Sequence, residues 1–279
     1  MKNFKNIVTV LLSFLLMFGI LCSSFLFITN NYLNKKYLLK KFDEMNLYSS
    51  VYEEVREGFE NYIYQSGLDI SIIDKICAKE KVKQDIISVV DYIYGDEKAT
   101  IDSTEIRQNL DIAINEYVEK EGRKLSKQET ENINKFEDLI ENSYKEKIGI
   151  YQKGSDKISG KIPLILSLTK KARLISLISS AVILILLVMV NAKKVSFAGS
   201  FFGVSFLSSG MIMIITKSII NSKIPINELV IFTKSLSSVI IDVISSILST
   251  IQLVGVSYIV LGILIIMFMN FLYLRDKKS

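Results

Sequence analysis

Histidine is absent from the 279 residues, which removes the commonest general base near neutral pH, the usual catalytic triads and most zinc or haem sites. Any acid–base or nucleophilic chemistry has to rest on carboxylates, Lys, Tyr, Ser or Cys. Asp43, Glu44, Glu53 and Glu54 offer paired carboxylates, but adjacent acids on a helix point in different directions and read as solvated surface. Cys77 follows the periodic residues Ile72, Ile73 and Ile76 and has no histidine to activate it, so it reads as a small buried apolar residue. Cys22 lies in a separate apolar run, and no intramolecular disulfide is expected. The sequence contains no phosphate-binding glycine loop, metal-ligand spacing or nucleophile elbow. The expectation is a protein that is not an enzyme and uses no cofactor and no metal.

Two other constellations invite a functional reading. Lys234, Ser238 and Asp242 recur at i, i+4 and i+8 on one face of an apolar segment, and ionisable groups at membrane depth often mark ion or proton pathways. The competing reading, a polar stripe turned to water, is favoured because the following apolar run can span without that segment. Gly199-x-x-x-Gly203 and Ser205-x-x-x-Ser209, with Gly255 and Gly262 further on, provide small residues that let helix backbones approach in lipid. Packing within the chain is favoured over a dedicated dimer interface.

These residues are carried on a chain of two contrasting compositions. Four runs, Ile7–Thr29, Leu174–Val190, Val195–Thr216 and Ile247–Leu274, contain no Asp, Glu, Lys or Arg. Residues 30–171 hold 26 of the 29 acidic residues but 23 of the 34 basic ones, so the middle is acidic and the remainder basic. The basic excess sits at the ends of apolar runs, which points to anchoring and orientation and gives no reason to expect a nucleic-acid partner. At 1.5 Å per residue, Ile7–Thr29 crosses a roughly 30 Å hydrocarbon layer. It reads as an uncleaved signal-anchor, since no cleavage site follows and Leu21 before Cys22 does not fit a lipobox. Leu174–Val190 is at the lower length limit, unless Pro163 lies in the first turn of a longer helix running through Lys170, Lys171 and Arg173.

Lys2 and Lys5, Lys193 and Lys194, and Arg275, Lys277 and Lys278 fall on one side if there are four spans. That places both termini in the cytoplasm and residues 30–171 outside, in a multi-pass protein of the cell membrane. Lys170, Lys171 and Arg173 oppose this arrangement and are discounted because long translocated segments largely escape the charge rule. The expected domains are residues 1–29 as cytoplasmic start and anchor, 30–171 as the outer domain, and 172–279 as three further spans with a short outer segment at 217–246. Within that segment, Asn227–Ser246 could extend the fourth helix, lie in the interface or dip into the bilayer.

The outer domain reads as helical throughout. Val51, Val55, Phe59 and Tyr62 define one apolar face; Val82, Ile86, Val89 and Ile93, then Ile106, Leu110, Ala113 and Tyr117, then Ile133, Phe136, Ile140 and Tyr144 define three more. Gly67, Gly95 and Gly122 sit where left-handed caps are wanted. Ser126-x-x-Glu129 has the form of a capping box, and Asp102-x-x-Glu105 a looser one. The fold expected is all-α: four transmembrane helices, with a helical bundle inserted between the first and second on a stalk continuous with the first. Tyr48, Tyr52, Tyr62, Tyr64, Tyr92 and Tyr94 read as core and boundary positions. Asp96–Thr100 and Gln152–Lys161 are expected to be the least ordered.

In this layout the chain resembles multi-pass membrane proteins of low-GC Gram-positive bacteria. Termini inside, a large first outer loop and a small second one also resemble the cell-division permeases of the FtsX type and the related MacB-type mechanotransmitting subunits, which implies work with a cytoplasmic ATPase. The leading expectation is a non-enzymatic envelope protein whose outer domain binds a protein partner or a wall component, with membrane lipid around its spans. The permease-like subunit, and a channel or transporter using Asp242, are the alternatives. The oligomeric state stays open.

Overall fold

The computed structural model describes residues 2–66, 68–95, 101–122, 124–156, 158–192, 194–226 and 233–278. Its described residues form ten helices and no strand: α1 Lys2–Tyr32, α2 Lys35–Glu44, α3 Leu47–Ser66, α4 Ile72–Ile76, α5 Lys79–Ile93, α6 Thr104–Lys120, α7 Lys127–Asp156, α8 Lys161–Val190, α9 Val195–Lys223 and α10 Lys234–Lys278. The fold is all-α as expected. Four helices, α1, α8, α9 and α10, are long and apolar enough to cross a membrane, and α2–α7 lie between the first and second. The chain divides into a unit of Met1–Asn34, Ile165–Leu229 and Ile240–Ser279, and a second of Lys35–Leu164 and Val230–Val239.

In the first unit, Ile175, Ile185 and Met189 on α8 are 64, 59 and 66% exposed, and Leu253 and Met267 on α10 are 68 and 64% exposed. Apolar surface on that scale cannot face water in a stable monomer, but it suits hydrocarbon. Buried residues Leu12, Leu16 and Ile20 of α1 pack with Leu187 of α8 and Ala198 of α9, and Met17, Leu21 and Ile28 with Met213, Leu248 and Ile251. Neighbouring pairs fix the directions. Asn30 meets Thr169 and Gly19 meets Ser176, Ser13 meets Ser205, and Ser24 meets Tyr258, so α8 and α10 run opposite to α1, and α9 runs with it. Lys5, Lys194 and Arg275 thus share one end of the unit, but Lys170, Lys171, Arg173 and Lys217 share the other.

The second unit buries the stripes read from the sequence: Val51, Val55 and Phe59; Val82, Ile86 and Val89; Ile106, Leu110 and Ala113; Ile140 and Tyr144. The α7 stripe continues to Ile148 and Tyr151, and the short helix α4 adds Ile72, Ile73 and Ile76. Gly95 and Gly122 take positive φ, +90° and +61°, as helix-ending residues do. Gly160 (+70°) and Asn46 (+53°) do likewise without having been singled out. Gly67 and Asp96–Thr100 lie outside the described residues.

Several expectations change. The first helix ends at Tyr32 and α2 starts at Lys35, so the stalk is not continuous with the span. α7 runs on to Asp156. α8 takes the longer form, with Pro163 in its first turn, where a missing N–H costs nothing. Residues 234–246 are one helix with the fourth run, while 227–232 lie outside the described residues. The Asp102 carboxylate accepts from Thr104 N at 2.9 Å in an Asx turn, and the Ser103 hydroxyl donates to Glu141 (2.8 Å) and does not cap α6.

Candidate functional site

Three of the apolar stripes run out at one place. Tyr62 on α3, Tyr117 on α6, and Ile133 and Phe136 on α7 line a cavity of about 480 Å³, a size typical of ligand pockets. Tyr117 is 45% and Leu139 47% exposed at its wall. The cavity lies where α3 and α6 end and α7 begins, and each boundary has a local cause. The Ser66 hydroxyl donates to Ile63 O (2.8 Å) and accepts from Leu68 N (3.3 Å), Gly122 turns the chain after α6, and a reciprocal capping box starts α7. In that box Ser126 N donates to Glu129 Oε2 at 2.8 Å, and Glu129 N donates to Ser126 Oγ at 3.2 Å. Glu129 and Glu121 are the charged lining residues, with Gln65 and Asn132 beside them. Such a site takes an apolar group carrying positive charge better than an anion.

Deeper in the same unit, Asp85 accepts hydrogen bonds from Tyr144 Oη at 2.5 Å and Lys81 Nζ at 2.9 Å, with the two charged side chains 6% and 10% exposed. Burial, then the Asp85 carboxylate, drives the Tyr144 phenol far above its ordinary range. Cys77 is 1% exposed. Burial, with Asp85 adding to it, pushes its thiol up to about 12, the reverse of what a nucleophile needs. The geometry of this cluster is that of a satisfied polar core. Nearer the surface, Glu141 collects Lys145, Ser103 and Arg107. Lys145 first and then Ser103 lower its pKa to about 2, against desolvation. Its neighbour Glu137, 5% exposed, is shifted upward by burial.

The small residues singled out in the membrane unit divide between two faces of α9. A methyl group at Gly203 would stand 2.9 Å from Gly262 O, and one at Gly262 would stand 2.7 Å from Gly203 O; Gly199 would meet the Met269 side chain. Ser205 and Ser209 turn to α1: Ser205 Oγ donates to Ser13 O (2.9 Å) and Ser209 Oγ to Met17 O (3.2 Å). Gly255 opposes Gly210, which the sequence reading passed over although Gly203 and Gly210 repeat the seven-residue spacing of Gly255 and Gly262. Asn191, buried in the turn after α8, donates to Thr9 Oγ1 at 3.1 Å.

Lys234, Ser238 and Asp242 remain on α10, the first two exposed and Asp242 half-buried. Around them, Ser235 Oγ donates to Glu54 (2.7 Å) and Tyr151 Oη lies 3.0 Å from Thr233 Oγ1, so the start of α10 is tied into the second unit. Comparison with known protein families, with curated proteins and with solved structures finds no match to this chain.

Proposed function

We propose that this chain is a non-enzymatic membrane protein whose 30–171 region is an extracytoplasmic recognition domain, and that its cavity takes an apolar, positively charged group of a protein partner or wall component. The observation that carries the reading is the place where Tyr62, Tyr117, Ile133 and Phe136 leave the core pattern and line an open space flanked by Glu121 and Glu129. A photo-cross-linking residue at Leu139 in native membranes should capture a partner that the same residue at Tyr64, 71% exposed and not among the cavity's lining residues, does not. Phe136→Asp, with the cross-linker kept at Leu139, should abolish the capture. Equal capture from both positions, or from neither, overturns the reading.

The orientation proposed has Lys5, Lys194 and Arg275 cytoplasmic, because the flank of the first span and the shortest turn weigh most in the charge rule. A second reading, a permease-like subunit working with a cytoplasmic ATPase, draws support from α10, whose first turns bond to Glu54 and the Tyr151 region while the rest of it packs against α1 and α9. It predicts that an ATPase co-purifies from native membranes, and that lengthening the Val190–Val195 turn uncouples the pair.

A further inference from the structure

We infer that the cleft between α1, α8 and α10 is a binding site for an anionic phospholipid, with the phosphate on Arg173 and an acyl chain along the cleft. The cleft holds about 440 Å³, and its walls include Phe27, Leu177 and Leu253 with the hydroxyls of Ser23 and Ser257. Arg173 supplies its charge. The guanidinium stands 5.1 Å from the centre of the Phe27 ring, stacked as a cation over an aromatic face. Among the described residues no carboxylate forms an ion pair with it. A guanidinium of this kind keeps its planar fork of donors for a phosphate.

Depth agrees with that chemistry. Arg173 lies 17 residues before Val190 on α8, about 25 Å at 1.5 Å per residue, close to the far edge of a roughly 30 Å hydrocarbon layer. The charge therefore sits at the level of lipid phosphates, and the cleft runs inward from it past Leu177 to the Ser24–Tyr258 hydrogen bond. Lys170 and Lys171, both exposed and within one turn of Arg173, raise the positive potential at the mouth. The basic cluster that stands against the charge rule thus has a local use. A zwitterionic lipid would bring its own cation to the same place, so the site should discriminate by headgroup charge.

The test uses the full-length protein in nanodiscs of equal phosphatidylglycerol and phosphatidylcholine, released into detergent and weighed by native mass spectrometry. One phosphatidylglycerol should stay bound after washing. Arg173→Gln should lower its retention on the order of tenfold, with the circular dichroism melt checked against wild type. Ser257→Trp, which fills the cleft from α10 and leaves the charge in place, should lower it as well. Millimolar glycerol 1-phosphate should not displace the lipid. Equal retention of phosphatidylcholine, undiminished binding in either folded variant, or displacement by the soluble phosphate would each overturn the inference.

Discussion

The side chains with the largest stakes are the buried Lys81, Asp85 and Tyr144, because a low-dielectric core leaves each dependent on the others. Tyr144→Phe removes one donor from Asp85 and should cost about 1–3 kcal/mol. Lys81→Met leaves a buried carboxylate without its cation and should cost about 3–5 kcal/mol. Thermal denaturation of the full chain in detergent ranks the two, and an inverted order would show that the ion pair does not hold this core. Cys77 gives a kinetic counterpart: with its thiol pushed up to about 12 and 1% exposed, it should react with maleimide only once denaturant opens the domain. Glu141 carries the acid dependence. Its pKa of about 2 in the folded chain lies below the ordinary glutamate value of 4.5, so its contribution is complete above about pH 4.5 and fades as pH falls toward 2. Melting midpoints measured between pH 5 and 2.5 should fall less steeply in Glu141→Gln than in wild type, and parallel slopes would remove Glu141 from the account.

Among the helices, α9 carries the clearest division of labour, with glycines toward α10 and serines toward α1. Overpacking a close helix contact costs about 1–3 kcal/mol, so Gly210→Ala should destabilise the membrane unit by that amount, since its methyl would press on Gly255 O. Gly149 lies inside α7 with open space where a methyl would go, and Gly149→Ala should gain up to about 1 kcal/mol from helix propensity. Opposite shifts in melting temperature check the pair. The helices themselves were legible in the sequence, because a 3.6-residue apolar period and charge-free runs report burial and lipid exposure directly. So was the capping box at Ser126, whose two partners lie within one turn. Gly210 was missed because its partner is 45 residues away and only the matched spacing of two glycine pairs announces it. The cavity was missed for a related reason: Tyr117 and Phe136 keep the period of a core stripe, and nothing local tells a stripe that ends in packing from one that ends in open space. Nothing local marks Lys81 and Asp85 as buried either, since i, i+4 charge pairs are ordinary on exposed helices.

Across the whole molecule, the proposed topology makes a prediction independent of any partner. A cysteine placed at Ser126 should label on intact cells with a membrane-impermeant maleimide, and one at Lys194 only after lysis. The reverse pattern would invert the protein in the membrane. The four-helix unit also has a temporal side. Ser13 and Ser205 are 192 residues apart, which a ribosome working at about 5–20 residues per second separates by roughly 10–40 s. Through that interval α1 sits in lipid before its partners exist. Its Thr9, Ser24 and Asn30 side chains donate to the carbonyls of Lys5, Ile20 and Leu26 one turn back, and that satisfaction needs no other helix. On that count α1 can wait in the bilayer for the later helices, with Ser13 finding its partners only when α9 arrives.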